Sequence, residues 1–169
     1  MLNKKLEVGL NKQINEELYS SYIYLSMCAY FESKNLSGFA KWMRMQSQEE
    51  YLHANKLYDY VIQKGGRVAL TQIGTPKAEW KSVLEVFEDT LAHEKFISKC
   101  IDELVNLAHE EKDHATTNFL QWYVSEQVEE EANATKIVDD LKMVGENNYG
   151  IFMLDRELGQ RKAEAANAE

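Results

Sequence analysis

Residues 39–61 read FAKWMRMQSQEEYLHANKLYDYV. Apolar side chains recur every three or four positions in this stretch, which places them on one face of an α-helix. The same face carries Glu50 and His53 at its centre. A carboxylate in an apolar interior is costly unless it is protonated, paired or bound to metal. The stretch therefore predicts an amphipathic helix with a polar insertion in its buried stripe.

The same period runs through the rest of the chain. Helix-forming residues dominate, Pro76 is the single proline, and the chain lacks the recurring Gly and Asn turns that an all-β domain would need. The predicted fold class is all-α, a four-helix bundle with a short fifth C-terminal helix. The expected helices span 3–34, 38–64, 82–111, 113–144 and about 148–160.

The connections predict how these helices are arranged. Short joints at residues 35–38 and near Asp113, a candidate N-cap, make the first and last long pairs antiparallel. Between them, about 17 residues including Gly65 and Gly66 lack a helical period; extended, they reach roughly 56 Å. A helix of about 27 residues is only about 40 Å long. The crossover can therefore span the bundle, which makes the second and third helices parallel.

Length and composition predict one domain in a reducing compartment. With 169 residues, 44% of them apolar, the chain can fill one core, expected over residues 1–160 with a frayed tail at 161–169. Cys28 and Cys100 match no metal or redox spacing and are interpreted as core residues.

No apolar run reaches the ~18 residues of a membrane span, and no secretory leader is recognisable, so we expect a cytoplasmic protein. A net charge of -9 argues against nucleic acid or membrane partners and favours cations.

The polar insertions in the four inner stripes fall near the helix midpoints, so we expect them at one height. No Lys or Arg belongs to this cluster, and two divalent cations would balance four carboxylates. Carboxylates with one imidazole suit iron or manganese, and Glu50 can bridge two metals while His53 binds one. The predicted di-iron ligands are Glu17, Glu50, His53, Glu94 and Glu130.

The fourth helix departs from a symmetric di-iron site. A second Glu-x-x-His motif would be expected there, but the sequence has Gln127-x-x-Glu130. The second metal position should therefore bind more weakly and exchange more readily. A site that releases iron readily is better suited to iron in transit than to iron retained as a catalytic cofactor.

Other residues near the centre carry alternatives. Glu49, Glu126 and Glu129 are candidates for a third iron position or for a solvated acidic face. Tyr24 and Trp122 are candidates for electron donation or hydrogen bonding to a ligand, or are simple core aromatics. A second Glu-x-x-His match, residues 111–114, straddles a helix break and is interpreted as a decoy. His93 and His109 fall off the inner stripe and are interpreted as surface residues.

Three motifs resemble the bacterial non-haem ferritins: ELYSS at 17–21, QEEYLH at 48–53 and NFLQWYVSEQ at 118–127. The likeness covers nearly the whole chain, including the fifth helix. It implies a ferroxidase in which two Fe(II) ions bind at the five predicted ligands, are oxidised by O2 or H2O2, and move as Fe(III) to a mineral core. It also implies a hollow homo-oligomeric shell of twenty-four subunits.

The resemblance assigns roles to further residues. Gln127 matches a glutamine beside the ligands and Tyr24 the site tyrosine. The fifth helix is expected to meet its copies at the fourfold axes, or alternatively to fold back on its own bundle; its apolar residues are Tyr149, Ile151, Phe152 and Leu154. The implied third iron site comprises Glu49, Glu126, Glu129 and Glu130.

Two departures bear on the family resemblance. Haem-binding bacterioferritins place a methionine after the bridging glutamate and use a second Glu-x-x-His; Tyr51 and Gln127-x-x-Glu130 stand there, so we expect no haem. Animal ferritins line their threefold channel with carboxylates, whereas residues 114–117 (HATT) are not acidic, which leaves the iron entry route open.

Two other functions compete with iron storage. A di-iron oxygenase or rubrerythrin-like peroxidase would use a similar bundle, but rubrerythrins normally add a Cys-x-x-Cys module that this chain lacks. A DNA-protecting mini-ferritin would place its metal site between subunits, whereas the ligands here are complete within one chain, which also lacks a basic tail.

Overall fold

The computed structural model describes residues 2–162, which confirm the all-α prediction. Every helix end lies within two residues of its expected position. No helix within this range is long and apolar enough to cross a membrane. Residues 163–169, most of the expected frayed tail, lie outside the described residues. The helices are α1 (Lys4–Ser33), α2 (Ser37–Gln63), α3 (Val83–Glu110), α4 (His114–Val144) and α5 (Asn148–Leu158).

Side-chain caps fix the starts of three long helices. The side chains of Asn3 and Ser82 accept hydrogen bonds from the first turns of α1 and α3. Asp113, the predicted cap of α4, accepts one from the backbone amide of Thr116. Each cap satisfies an amide that has no partner inside its own helix.

The long helices enclose two hydrophobic clusters, one at each end of the bundle. One cluster contains Phe31 of α1, Phe39 near the start of α2, Phe87 near the start of α3 and residues late in α4. The other contains Leu10 early in α1, residues late in α2 and α3, and Leu120 early in α4. The starts of α2 and α3 therefore lie at the same end, which confirms that these helices are parallel. A polar layer separates the clusters on all four helices.

The crossover between α2 and α3 runs along α1. The Asn11 side chain donates to the carbonyl of Arg67, and Ser26 donates to that of Lys77. Tyr30, near the end of α1, donates to the carbonyl of Trp80. The segment therefore spans the length of the bundle as predicted.

The fifth helix docks on the start of α2. The Asp155 carboxylate accepts a hydrogen bond from the backbone amide of Phe39 at 2.9 Å. A Cβ atom at Gly38 would lie 1.6 Å from the carbonyl oxygen of Asp155, so this contact requires glycine. Part of α5 folds back on its own bundle, as one of the two alternatives predicted, while contact between copies at the fourfold axes stays a prediction. Ile151 and Leu154 pack on the bundle, whereas Tyr149 and Phe152 are 71% and 51% exposed.

Candidate metal centre

All five predicted ligands lie in the polar layer between the two clusters. Each is buried, with between 1% and 8% of its surface exposed. Glu50 and His53 share one face of α2 because they are three residues apart. The structure thus brings together side chains from four helices, namely Glu17 (α1), Glu50 and His53 (α2), Glu94 (α3) and Glu130 (α4).

Glu17, Glu50 and His53 form the tightest part of the layer. Their ligand atoms all lie within 4.8 Å of one another, and within residues 2–162 no other group of three or more His, Cys, Asp or Glu meets this spacing. The distance from Glu50 Oε2 to His53 Nδ1 is 3.3 Å. Glu17 Oε1 accepts from Gln13 Nε2 at 2.9 Å, but Glu17 Oε2 is buried without a hydrogen-bond partner. An unsatisfied buried acceptor costs about 1–3 kcal/mol, which a bound cation would offset.

Glu94 is held by two neutral donors. The Tyr24 hydroxyl donates to Glu94 Oε1, and Gln127 Nε2 donates to Glu94 Oε2 at 3.1 Å. Gln127 also donates to the backbone carbonyl of Glu94 at 3.2 Å. The two side chains therefore fix the orientation of this carboxylate across the interfaces of α3 with α1 and α4.

Glu130 depends on a residue that the sequence analysis did not assign to the site. Gln46 Nε2 donates to Glu130 Oε2 at 2.9 Å. Gln46 precedes Glu50 by one helical turn, as Gln13 precedes Glu17. A glutamine lies four residues before Glu17 and before Glu50, and this spacing was the signal that could have identified Gln13 and Gln46 in the sequence.

Burial raises the pKa of all four carboxyls. It is the leading cause for Glu17, Glu50 and Glu94, and repulsion between neighbouring carboxyls adds to it. Burial and the charge of Glu94 raise the pKa of Glu130 to about 7. The hydrogen-bond partners described above are amides and a phenol, which carry no charge. The layer therefore retains protons that a metal cation would displace.

Trp122 and Tyr123 enclose His53 on the side of α4. The Trp122 ring meets the imidazole edge to face with centroids 5.2 Å apart. The Tyr123 hydroxyl donates to the backbone carbonyl of His53 at 2.7 Å. Trp122 thus contacts a candidate ligand directly, while Lys56 lies over its ring.

Three of the four residues of the expected third iron position, Glu49, Glu126 and Glu129, lie outside the buried layer, whereas Glu130 belongs to it. Glu49 is partly buried and forms an ion pair with Arg161, with Nη2 and Oε2 2.7 Å apart. Glu126 is partly exposed and Glu129 is exposed. The third site stays a prediction. Arg161, expected in the frayed tail, instead contacts the bundle.

The prediction that His93 is a surface residue is wrong. Its Nε2 lies 2.7 Å from the Ser20 hydroxyl, and its ring lies between those of Tyr19 and Tyr24. Burial lowers the pKa of His93 to about 4, so its ring is neutral near pH 7. His93 is therefore partly buried where α3 packs against α1. His109 is exposed, as predicted.

The known proteins that this chain resembles are ferritins. A ferritin family model, described as the ferritin-like domain, matches residues 8–144. A bacterial non-heme ferritin of Bacteroides fragilis is 48% identical over 161 residues, covering 95% of this chain and all of the relative. One of Campylobacter jejuni is 42% identical over 156 residues, covering 92% and 93%. The solved open pore ferritin of Archaeoglobus fulgidus superposes with a TM-score of 0.95 at 51% identity, covering 96% of this chain and all of the other.

Proposed function

The chain belongs to the ferritin family, and on that basis we propose that it stores iron by oxidising Fe(II) and depositing Fe(III) as an oxyhydroxide mineral. The observation that carries this proposal is the buried layer of four carboxylates and one imidazole, in which Glu17 Oε2 has no hydrogen-bond partner. Iron is the substrate and cargo of this centre.

The proposal includes two iron positions, and the grouping of Glu17, Glu50 and His53 supports the first of them. Glu17 and His53 hold the first Fe(II), Glu94 and Glu130 hold the second, and Glu50 lies between them as the bridging ligand. The first position should bind metal with the higher affinity, because the ligand atoms of Glu17, Glu50 and His53 already lie within 4.8 Å of one another. At the second, Tyr24, Gln127 and Gln46 each donate a hydrogen bond to a ligand carboxylate.

The proposed reaction transfers two electrons from iron to the oxidant and consumes two protons. Two Fe(II) ions each give one electron, and O2 takes both electrons and two protons to become H2O2. With H2O2 as oxidant, the same electrons and two protons yield two water molecules. The protein holds the ions together and loses carboxyl protons as they bind; hydrolysis of Fe(III) to oxyhydroxide releases further protons. Tyr24 donates a hydrogen bond to Glu94 and so positions this ligand.

The mineral requires an enclosed volume, so the proposal includes a homo-oligomeric shell of twenty-four copies. The exposed side chains of Tyr149 and Phe152 on α5 support contacts between copies. The solved relatives include an open pore ferritin and an engineered closed form of it. A third iron position at Glu49, Glu126, Glu129 and Glu130 remains part of this proposal.

The role of the centre is tested by the rate of Fe(II) oxidation in Glu50→Gln, with Glu103→Gln as the matched control because Glu103 is exposed on α3. Glu50→Gln should lose the rapid phase of oxidation, while the mass of its particle stays that of the unsubstituted protein. Glu103→Gln should behave as the unsubstituted protein does. Normal rapid oxidation in Glu50→Gln would show that the centre lies elsewhere.

A further inference from the structure

Arg161, three residues after the end of α5, reaches back to α2. Its Nη1 donates to Gln46 Oε1, and its Nη2 donates to Glu49 Oε2 at 2.7 Å. The guanidinium carbon lies 5.0 Å from the centre of the Trp42 ring. Three residues at helical spacing, Trp42, Gln46 and Glu49, lie on one face of α2. This face binds the guanidinium group of Arg161.

The backbone that carries Arg161 is anchored to the same helix. Lys41 Nζ donates to the carbonyl of Gly159 at 2.8 Å, and Asp155 caps the amide of Phe39. A Cβ atom on Gly159 would lie 2.9 Å from the Cα of Gly38, so the two backbones approach closely. The docking of α5 therefore directs Arg161 toward Glu49. The side chains of this ion pair are 21% and 19% exposed, so water screens them only in part.

Gln46 connects Arg161 to the buried centre. An arginine can only donate hydrogen bonds, so the amide oxygen of Gln46 must face Arg161. The amide nitrogen then faces Glu130, to which it donates at 2.9 Å. Glu49 is also the residue next to Glu50, the proposed bridge. The guanidinium thus lies one side chain away from the second iron position.

We infer that the positive charge of Arg161 prevents a metal ion from binding at Glu49, outside the buried layer. The inference rests on the proposed function, because it concerns the position that iron would use beyond the two central sites. The guanidinium of Arg161 is a cation and repels a metal cation placed beside Glu49. A third cation can use Glu49 only when Arg161 swings away. Arg161 thereby controls how many cations each chain holds.

The test is a calorimetric titration of metal-free protein with Zn²⁺, which does not change oxidation state. The variant is Arg161→Gln, and the matched control is Arg156→Gln, which removes the same charge from an exposed position on α5. We expect Arg161→Gln to bind about one additional Zn²⁺ per chain, because the guanidinium charge no longer repels a metal cation beside Glu49. Arg156→Gln should match the unsubstituted protein. Particle mass establishes that each variant assembles.

A double variant, Arg161→Gln with Glu49→Gln, identifies the ligand of the additional cation. It should return to the stoichiometry of the unsubstituted protein. Equal stoichiometry in Arg161→Gln and Arg156→Gln would overturn the inference, as would an additional cation that persists in the double variant. In both cases the central cations would remain and the proposed function would stand. Absence of central cations from the unsubstituted protein would overturn both.

Discussion

The hydroxyl of Tyr24 on α1 donates a hydrogen bond to the carboxylate of Glu94 on α3, inside the layer that separates the two hydrophobic clusters. This bond favours the charged form of Glu94 and so opposes the effect of burial on its pKa. The Tyr24 hydroxyl therefore favours the ionised carboxylate of Glu94, the form that binds a cation.

Replacing Tyr24 with phenylalanine should weaken the second metal position. The substitution keeps the ring and removes the donor, so Glu94 retains its proton more strongly. We expect Zn²⁺ affinity at the weaker central position to fall by about tenfold, equivalent to about 1.4 kcal/mol. Calorimetric titration measures it. Tyr22→Phe is the control because Tyr22 is 48% exposed. Equal affinities in the two variants would contradict the assigned contact.

Replacing Glu17 with glutamine should stabilise the metal-free protein and reduce its stabilisation by metal. Glutamine removes a carboxyl whose pKa burial raises well above its usual value. It also removes a ligand of the first position. The apparent Tm should therefore rise in chelator and no longer respond strongly to Zn²⁺, as differential scanning calorimetry can measure. Glu16→Gln, one residue away, is the control. A lower Tm for Glu17→Gln in chelator would contradict the expected sign.

The stability of the metal-free protein should fall as the pH rises from about 5 to about 7.5. The pKa of Glu130 is about 7 in the folded chain and near 4.5 in the unfolded one. Between these values the folded chain binds more protons, so lowering the pH favours it. Glu130→Gln should make the dependence of Tm on pH shallower than Glu129→Gln does, since Glu129 is exposed. Parallel curves for the two variants would refute this assignment.

Gly38→Ala should detach α5 from the start of α2. The new Cβ atom would overlap the Asp155 carbonyl oxygen, so the contact cannot form without backbone movement. We expect faster amide hydrogen exchange across α5 and a loss of about 1–3 kcal/mol of stability. Gly74→Ala is the control, because its Cβ atom would lie 3.6 Å from Tyr19. Unchanged exchange in α5 would argue against this docking.

The helices and the five central residues could be predicted because both depend on local periodicity. Glu17 and Glu94 interrupt apolar stripes, and that interruption is visible in one helix at a time. The position of His93 could not be predicted, because it depends on how α1 meets α3 and brings Ser20 beside it. Arg161 was missed for a similar reason. Its contacts with Gln46 and Glu49 exist only once α5 has docked.

The central claim is tested most directly by iron retention. Metal-free protein is given a large excess of Fe(II) in air, and the mass of the particle and its iron content are then measured after gel filtration. We expect a large shell that retains far more than about two irons per chain, the capacity of its centre alone. A small oligomer, or retention of only about two irons per chain, would contradict it.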